Sequence, residues 1–212
     1  TDPAAKAARG ISLLVIERDA PGFTRTPLQK MGWWASDTAH LRFDEVRVPA
    51  ANLLGTEGEG FRAITHNFTA ERFSMAALSL GFAWACYGEA LEWARQRRTF
   101  GQRLVDHQVV RHRFVDMFAQ IEATRALLED VAWRLDHDGS TDPGVVASVC
   151  MAKNTATRTM QFCADAAVQT LGGMGYMRGT RSERIYREVK VNMIGGGAEE
   201  IMKDLAARQL GL

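Results

Sequence analysis

The chain has 212 residues, 46% of them hydrophobic and 24% charged, the balance of an ordinary globular protein with one large domain or two small ones. Formal net charge is +1 and basic residues are interleaved with acidic ones, which argues against a nucleic-acid partner or a charged membrane surface. No apolar stretch reaches the length of a membrane span, no signal peptide opens the chain, and the histidines and cysteines show no metal-ligand spacing.

An Ala-rich lead, TDPAAKAARG, runs almost at once into a strand, as expected of a piece of a longer protein entered partway through a domain. That strand is the apolar run Ile11 to Ile16, closed by the turn residues Asp19, Pro21 and Gly22. Phe23 to Met31 is a weaker strand candidate. His40 to Val48 alternates around Leu41, Phe43, Val46 and Val48 until Pro49 stops it. Two or three strands make a marginal sheet, so partner strands are expected outside this chain.

The remainder reads as helices. Gly58 and Gly60 open a helix that runs to about Arg98, where Phe100-Gly101 ends it. Its apolar stripe is Phe61, Ile64, Phe68, Met75, Leu78, Phe82 and Trp93, at mostly three- and four-residue steps. A second helix spans about Asp106 to Asp136, with Val109, Phe114, Met117, Ile121, Leu128 and Val131 apolar. Asp142 and Pro143 form an N-cap and first-turn proline for a third, which stops at Gly172-Gly173. Thr180 and Glu183 fit a capping box for a shorter helix through Arg187, and Gly195-Gly196-Gly197 leads into a last one ending near Leu210. The expected fold is mainly α: a C-terminal antiparallel four-helix bundle over residues 58–212, preceded over residues 1–57 by a few β-strands of an incomplete β-domain. Cys86, Cys150 and Cys163 are odd in number and fall in helical patterns, and are read as buried thiols of a reducing compartment, the cytoplasm.

Several residues could carry chemistry. Glu71 falls on the apolar stripe, three past Phe68 and four before Met75. A charge facing a core is costly and tends to be neutralised, paired or used. It reads either as a general base or as half of an ion pair with Arg72 or a neighbouring arginine, and the ion pair is the commoner case. Arg97, Thr99 and Phe100 read either as a helix terminus favoured by the dipole, or as a phosphate site with a ring stacked on Phe100. The glycines of QTLGGMGY are a helix stop or a close approach of backbone to ligand. Gly195-Gly196-Gly197 is a hinge or, before a helix N-terminus, a place for an anion or carbonyl oxygen.

Together these segments resemble one family. RQRRTFGQRL followed by DHQ, then QTLGGMGY, then REVKVNMIGGGAEEIMKDLAAR are similar to the C-terminal half of flavin-dependent acyl-CoA dehydrogenases. KMGWWASDTAHLRFDEVRVPAANLLGTEGEGF resembles the late strands of their middle sheet domain. The resemblance implies α,β-dehydrogenation of an acyl-CoA thioester: a carboxylate removes the α-proton and the β-hydrogen leaves as hydride to N5 of FAD. The thioester oxygen needs hydrogen bonds as enolate character develops, and burial would raise the base's pKa.

Most of the family carries the base in the last loop, at the position of Gly196. A subgroup resembling the long-chain and isovaleryl types carries it on the first bundle helix, before an arginine. Glu71-Arg72 matches that pattern, and Gly196 matches the vacated position. The resemblance further implies that Arg97, Thr99, Phe100 and Gln108 contact FAD, that Gln169, Gly172 and Gly173 reach it from a neighbouring subunit, and that Ala198 and Glu200 meet its adenosine end. Ala198 replaces the usual Thr, so one hydroxyl bond is lost. Phe68 and Arg72 would line the acyl-CoA channel, with the Gly196 N–H on the thioester carbonyl. A homo-oligomer, dimer or tetramer, and an electron-transfer flavoprotein as acceptor are implied as well. No metal is expected. The alternatives are a flavin monooxygenase of the same fold and a non-catalytic assembly fragment.

Overall fold

The structure, a computed structural model, describes residues 1–6 and 8–212 in full and the backbone of residue 7. It is 64% helical and divides into two compact units, Thr1–Phe68 and Thr69–Leu212.

In the first unit the strands are shorter than their apolar runs. β1 (Leu13–Leu14) pairs antiparallel with β4 (Leu53–Leu54), and β2 (Phe23–Pro27) with β3 (Ala39–Phe43). The Phe23 and Phe43 rings stack at 4.9 Å where the second pair closes. β2 ends at Pro27 rather than at Met31, with one further backbone bond, from the Leu28 N–H to the Thr38 carbonyl at 2.9 Å, before the chain turns away. Beyond it the Lys30 ammonium donates to the carbonyls of Trp33 and Ser36, folding residues 28–38 into a loop. β3 ends five residues short of Val48, because Glu45 takes a left-handed φ of 51° that breaks the pleat. Leu14, Leu41, Phe43 and Leu54 are exposed, so these strands present apolar side chains that this unit leaves uncovered.

α1 (Gly60–Gln96) is one continuous helix of 37 residues. Its part from Thr69 onward belongs to the second unit, with α2 (Gln108–His137), α3 (Pro143–Leu171), the single turn α4 (Gly173–Tyr176), α5 (Arg181–Ile194) and α6 (Glu199–Gln209). These long helices are the antiparallel bundle. A tight hairpin, β5 (Arg98–Thr99) and β6 (Gln102–Arg103), joins α1 to α2. α3 is central. Val149, Cys150, Ala152, Ala156, Met160, Cys163, Ala164 and Ala167 are all buried, and the helix packs against α2, α5 and α6. Its many alanines let neighbouring backbones approach closely.

The face that α1 buries is not the stripe of large residues. Ala76, Ala83, Cys86, Ala90 and Ala94 are fully buried, at steps of three, four and seven, while Phe61 and Leu78 are exposed and Met75 and Phe82 half-buried. The core stripe lies one residue round the helix, because long helices packing closely against one another select small side chains at the contact. Glu71 is therefore exposed in this chain rather than facing a core. On α2 the buried residue is likewise Val110, with Val109 exposed. The cysteines are buried and free, and burial pushes the Cys86 and Cys163 thiols up to about 12.

The Asp142 cap and the Thr180 half of the capping box are present. Asp142 accepts from the Val145 N–H at 3.0 Å, and the Thr180 hydroxyl from the Glu183 N–H at 3.2 Å. α5 runs seven residues past Arg187, because Ile185, Val189 and Asn192 continue a buried face against α3. Its N-terminus is held from outside the segment. Glu89 of α1 accepts from the N–H groups of Arg181 and Ser182 at 2.9 and 2.7 Å and from the Ser182 hydroxyl at 2.6 Å. A carboxylate there satisfies donors that the helix leaves open and meets the positive end of its dipole.

Burial pushes the Glu89 carboxyl up, but its bonds to Ser182 and to the two N–H groups outweigh that and hold it below its ordinary value of 4.5. A depressed native carboxyl stabilises above its unfolded value and loses that contribution as pH falls through the native one. Glu89→Ala should lower stability by about 1–2 kcal/mol at neutral pH, as loss of a cap does. Thermal denaturation from pH 7 downward should show the gap between variant and parent closing below pH 4.5.

Candidate active site

The turn between α5 and α6 is built from glycine. Gly195, Gly196 and Gly197 are half-buried, and Gly196 and Gly197 have φ of 67° and 115°. A side chain at 196 would be strained by that φ and would place its Cβ 2.8 Å from the Met75 sulfur and 3.7 Å from Arg72 Cγ. Met75 thus occupies the space that a residue larger than glycine would need. Arg72 donates from Nε to the Gly196 carbonyl at 2.8 Å, which ties the Glu71-Arg72 turn of α1 to the glycine turn. Glu71 and Gly196, apart by 125 positions in sequence, are brought to one neighbourhood by this bond.

Two residues that the sequence reading missed hold the same turn. Lys153 of α3 is fully buried and donates from Nζ to the carbonyls of Met193 at 2.9 Å and Gly197 at 2.8 Å. Asn154 donates from Nδ2 to the Glu199 carbonyl at 3.0 Å. The signal for Lys153 was present: it sits four past Val149 and seven before Met160, the one charge on the buried face of its helix. Glu199 is bound by Arg158 and by Lys203 at 2.8 Å. Hydrogen bonds from those two cations hold its carboxyl down to about 2, which keeps it ionised and unsuited to take up a proton near neutrality. Ala198 is the α6 N-cap and, lacking a hydroxyl, makes no side-chain cap bond; Glu200 is exposed in the first turn.

At the other end of the bundle a cavity of about 540 Å³ is lined by Trp93, Arg97, Thr99, Thr170, Gly172 and Gly173 among others. Arg97 and Thr99 follow α1, and the glycines follow α3, so one chain presents both segments to the same space. Gly175 makes the close approach beyond them: a Cβ there would lie 2.5 Å from the Val168 carbonyl. Phe100 sits at the β5–β6 tip with a left-handed φ of 50° and is 98% exposed. Gln108 is exposed at the start of α2, and Gln169 near the end of α3; neither lines this cavity. The Thr99 hydroxyl lies beside the His107 ring. Gln102 Nε2 lies 3.0 Å from His107 Nδ1, and His107 Nε2 lies 3.0 Å from Thr99 Oγ1. Donation from the amide makes Nδ1 the acceptor and puts the ring proton on Nε2, so Thr99 accepts from the ring and keeps its own proton for another acceptor.

Phe68 is half-buried on α1, one helical turn before Arg72. No cluster of metal-ligating side chains exists among the described residues, and no helix of them is long and apolar enough to cross a membrane.

Comparison with known proteins identifies the architecture. The family described as "Acyl-CoA dehydrogenase, C-terminal domain" matches residues 58–211. The chain is 37% identical over 201 residues to "Probable acyl-CoA dehydrogenase YngJ" of Bacillus subtilis, covering 94% of this chain and 52% of that protein. Cyclohexane-1-carbonyl-CoA dehydrogenase of Geobacter metallireducens is 35% identical over 202 residues, 95% of this chain and 52% of its own length. The crystal structure of an acyl-CoA dehydrogenase from Geobacillus kaustophilus superposes with a TM-score of 0.93 at 39% identity, over 100% of this chain and 55% of that one. The chain spans about half the length of the curated relatives it matches.

The geometry at Gly196 separates two costs. The Met75 thioether is a flexible end that can swing aside, whereas the φ of 67° cannot be relieved. Gly196→Ala should therefore lower stability by about 1 kcal/mol, most of it from backbone strain. In a double-mutant cycle with Met75→Ala, the coupling measured by chemical denaturation should stay below about 1 kcal/mol.

Proposed function

This chain belongs to the acyl-CoA dehydrogenase family, and we propose that it forms the C-terminal part of an enzyme that introduces an α,β double bond into an acyl-CoA thioester, with Glu71 as the base. Residues 58–212 are then the helical bundle domain and residues 1–57 the end of a middle β-domain, whose exposed Leu14, Leu41 and Phe43 fit strands that pack on further sheet. The observation that carries the reading is the Arg72–Gly196 hydrogen bond. It ties the turn bearing Glu71 to the loop where most of the family places its carboxylate, and that loop holds glycine with Met75 filling the space beside it. Glu199 supports the same choice, because Arg158 and Lys203 already engage it.

In this reading the thioester lies between Glu71 and Gly196. Glu71 takes the α-proton, the Gly196 N–H donates to the thioester oxygen as charge develops there, and Arg72 keeps the two elements in register. Glu71 is exposed in this chain, so the apolar surroundings that a base of this kind needs come from substrate and from the rest of the protein. FAD, when bound, supplies the acceptor for the hydride from the β-carbon. The residues present fit that cofactor as a contribution to a neighbouring subunit's site: the cavity of about 540 Å³, at the opposite end of the bundle from Glu71, offers the Arg97 cation, the Thr99 hydroxyl and the close backbone of Gly172 and Gly173, with the exposed Phe100 ring nearby for a planar group. Gln108, Gln169, Ala198 and Glu200 are assigned to the same cofactor by resemblance. Phe68 and Arg72 are assigned to the acyl-CoA channel. Exposed Val115 and Trp133 on one face of α2 give a second copy apolar surface to cover, consistent with a dimer or tetramer, and an electron-transfer flavoprotein is the proposed acceptor.

In the full-length protein, Glu71→Gln should slow reduction of bound flavin by acyl-CoA about 100-fold or more while leaving flavin content unchanged. Flavin reduction near the parent rate would exclude Glu71 as the base. The 212-residue chain purified alone should retain little flavin, and a stoichiometric yellow preparation would show that its own cavity suffices.

A further inference from the structure

Lys153 is the most expensive side chain in the bundle that the proposed chemistry leaves unused. Its side chain is fully buried, and moving an ammonium out of water costs several kcal/mol unless hydrogen bonds replace the lost solvation. A methionine would fill similar volume without that cost. What the ammonium does reach is specific: the Met193 carbonyl, in the last turn of α5, and the Gly197 carbonyl, on the far side of the glycine turn. The first belongs to a helix C-terminus, where carbonyls lack intrahelical partners and the dipole favours a cation. The second belongs to a residue with no side chain to fix it.

Three consecutive glycines carry the largest backbone entropy available to a turn of this length, and ordering them has to be done through their peptide groups. Here it is done through carbonyls held by two cations from two helices: Arg72 of α1 holds Gly196, and Lys153 of α3 holds Met193 and Gly197. The two cations oppose one another. Burial and then Arg72 push the Lys153 ammonium below its ordinary value, while Glu199 of α6 and Cys150 of α3 offset part of this. Like charges gathered round one turn are tolerated where they direct it.

We propose that Lys153 is a positioning residue of this site: by clamping the carbonyls on both sides of Gly195-Gly196 it holds Gly196 in the one conformation in which its peptide faces the Glu71-Arg72 turn. The proposal rests on the reading of Glu71 and Gly196 as the thioester site. A clamp of this kind acts on the rate of the chemical step, because the turn would otherwise sample conformations in which the donor is misplaced.

The test uses the full-length protein. Lys153→Met removes the donors at nearly constant volume, and Lys153→Gln keeps a shorter, uncharged donor. Lys153→Met should lower kcat for flavin reduction by acyl-CoA roughly tenfold or more with KM within about threefold, and Lys153→Gln should fall between it and the parent. Amide hydrogen exchange over residues 195–198 should quicken in the same order. Glu89→Ala, which loosens the other end of α5 without touching the glycine turn, should lower the unfolding temperature and leave kcat unchanged; a matching loss of kcat there would make Lys153 merely structural and overturn the proposal. A folded Lys153→Met variant with kcat within threefold of the parent also overturns it, and if the Met variant does not fold, a Gln variant with kcat equal to the parent's overturns it. A parent protein that exchanges slowly at 195–198 but reduces no flavin with any acyl-CoA overturns the thioester reading itself, and with it the positioning role.

Discussion

A turn made of glycine cannot hold itself, and the candidate active site depends on how this one is held. Gly195-Gly196-Gly197 contributes no side-chain packing, and two of its residues sit at positive φ. Order is imposed on its carbonyls by Arg72 from α1 and Lys153 from α3, with Asn154 fixing the start of α6 one residue on. The bundle is the frame that makes this possible. α3 is buried along most of its length, so a lysine on its inner face has a fixed origin and only one place to reach.

The same frame explains why α1 buries alanine rather than phenylalanine. Ala76, Ala83, Cys86, Ala90 and Ala94 set a close approach to the neighbouring helices, and the larger residues one position round are left half-covered. That displaced stripe is where Phe68, Glu71 and Met75 lie. A helix with a small-residue core face and a large-residue flank packs the bundle with one face and leaves the other partly open. Glu71 is exposed for the same reason, since it belongs to the flank.

The glycine turn and the cavity at the other end of the bundle are unequally prepared. At the glycine turn the partners are already bonded to one another. At the cavity of about 540 Å³ the groups face open space: Arg97 at its edge, Gly172 and Gly173 with bare backbone, and Thr99 held by the Gln102–His107 pair with a proton to give. The first arrangement is closed by its own contacts, and the second is left open.

Much of this protein was legible in its sequence. Local signals with a short-range cause were right: the Asp142 and Thr180 caps, the stop at Gly172, the glycine turn before α6, and the helical class of the second unit. The motifs RRTFG, QTLGGMGY and MIGGGAEE identified the family because they are read residue by residue. What failed were inferences about faces and ends. Periodicity located an apolar stripe on α1 but could not say that the close packing of long helices would choose the alanines beside it, nor that α5 would run on to Ile194 against α3. The amino-acid order alone determined which residue types stand at each position, including a glycine at 196 and a carboxylate at 71. Only the tertiary structure decided that Arg72, Met75, Lys153 and Gly196 meet, because that meeting is made by two helices and a turn whose contacts lie more than forty residues apart in the chain.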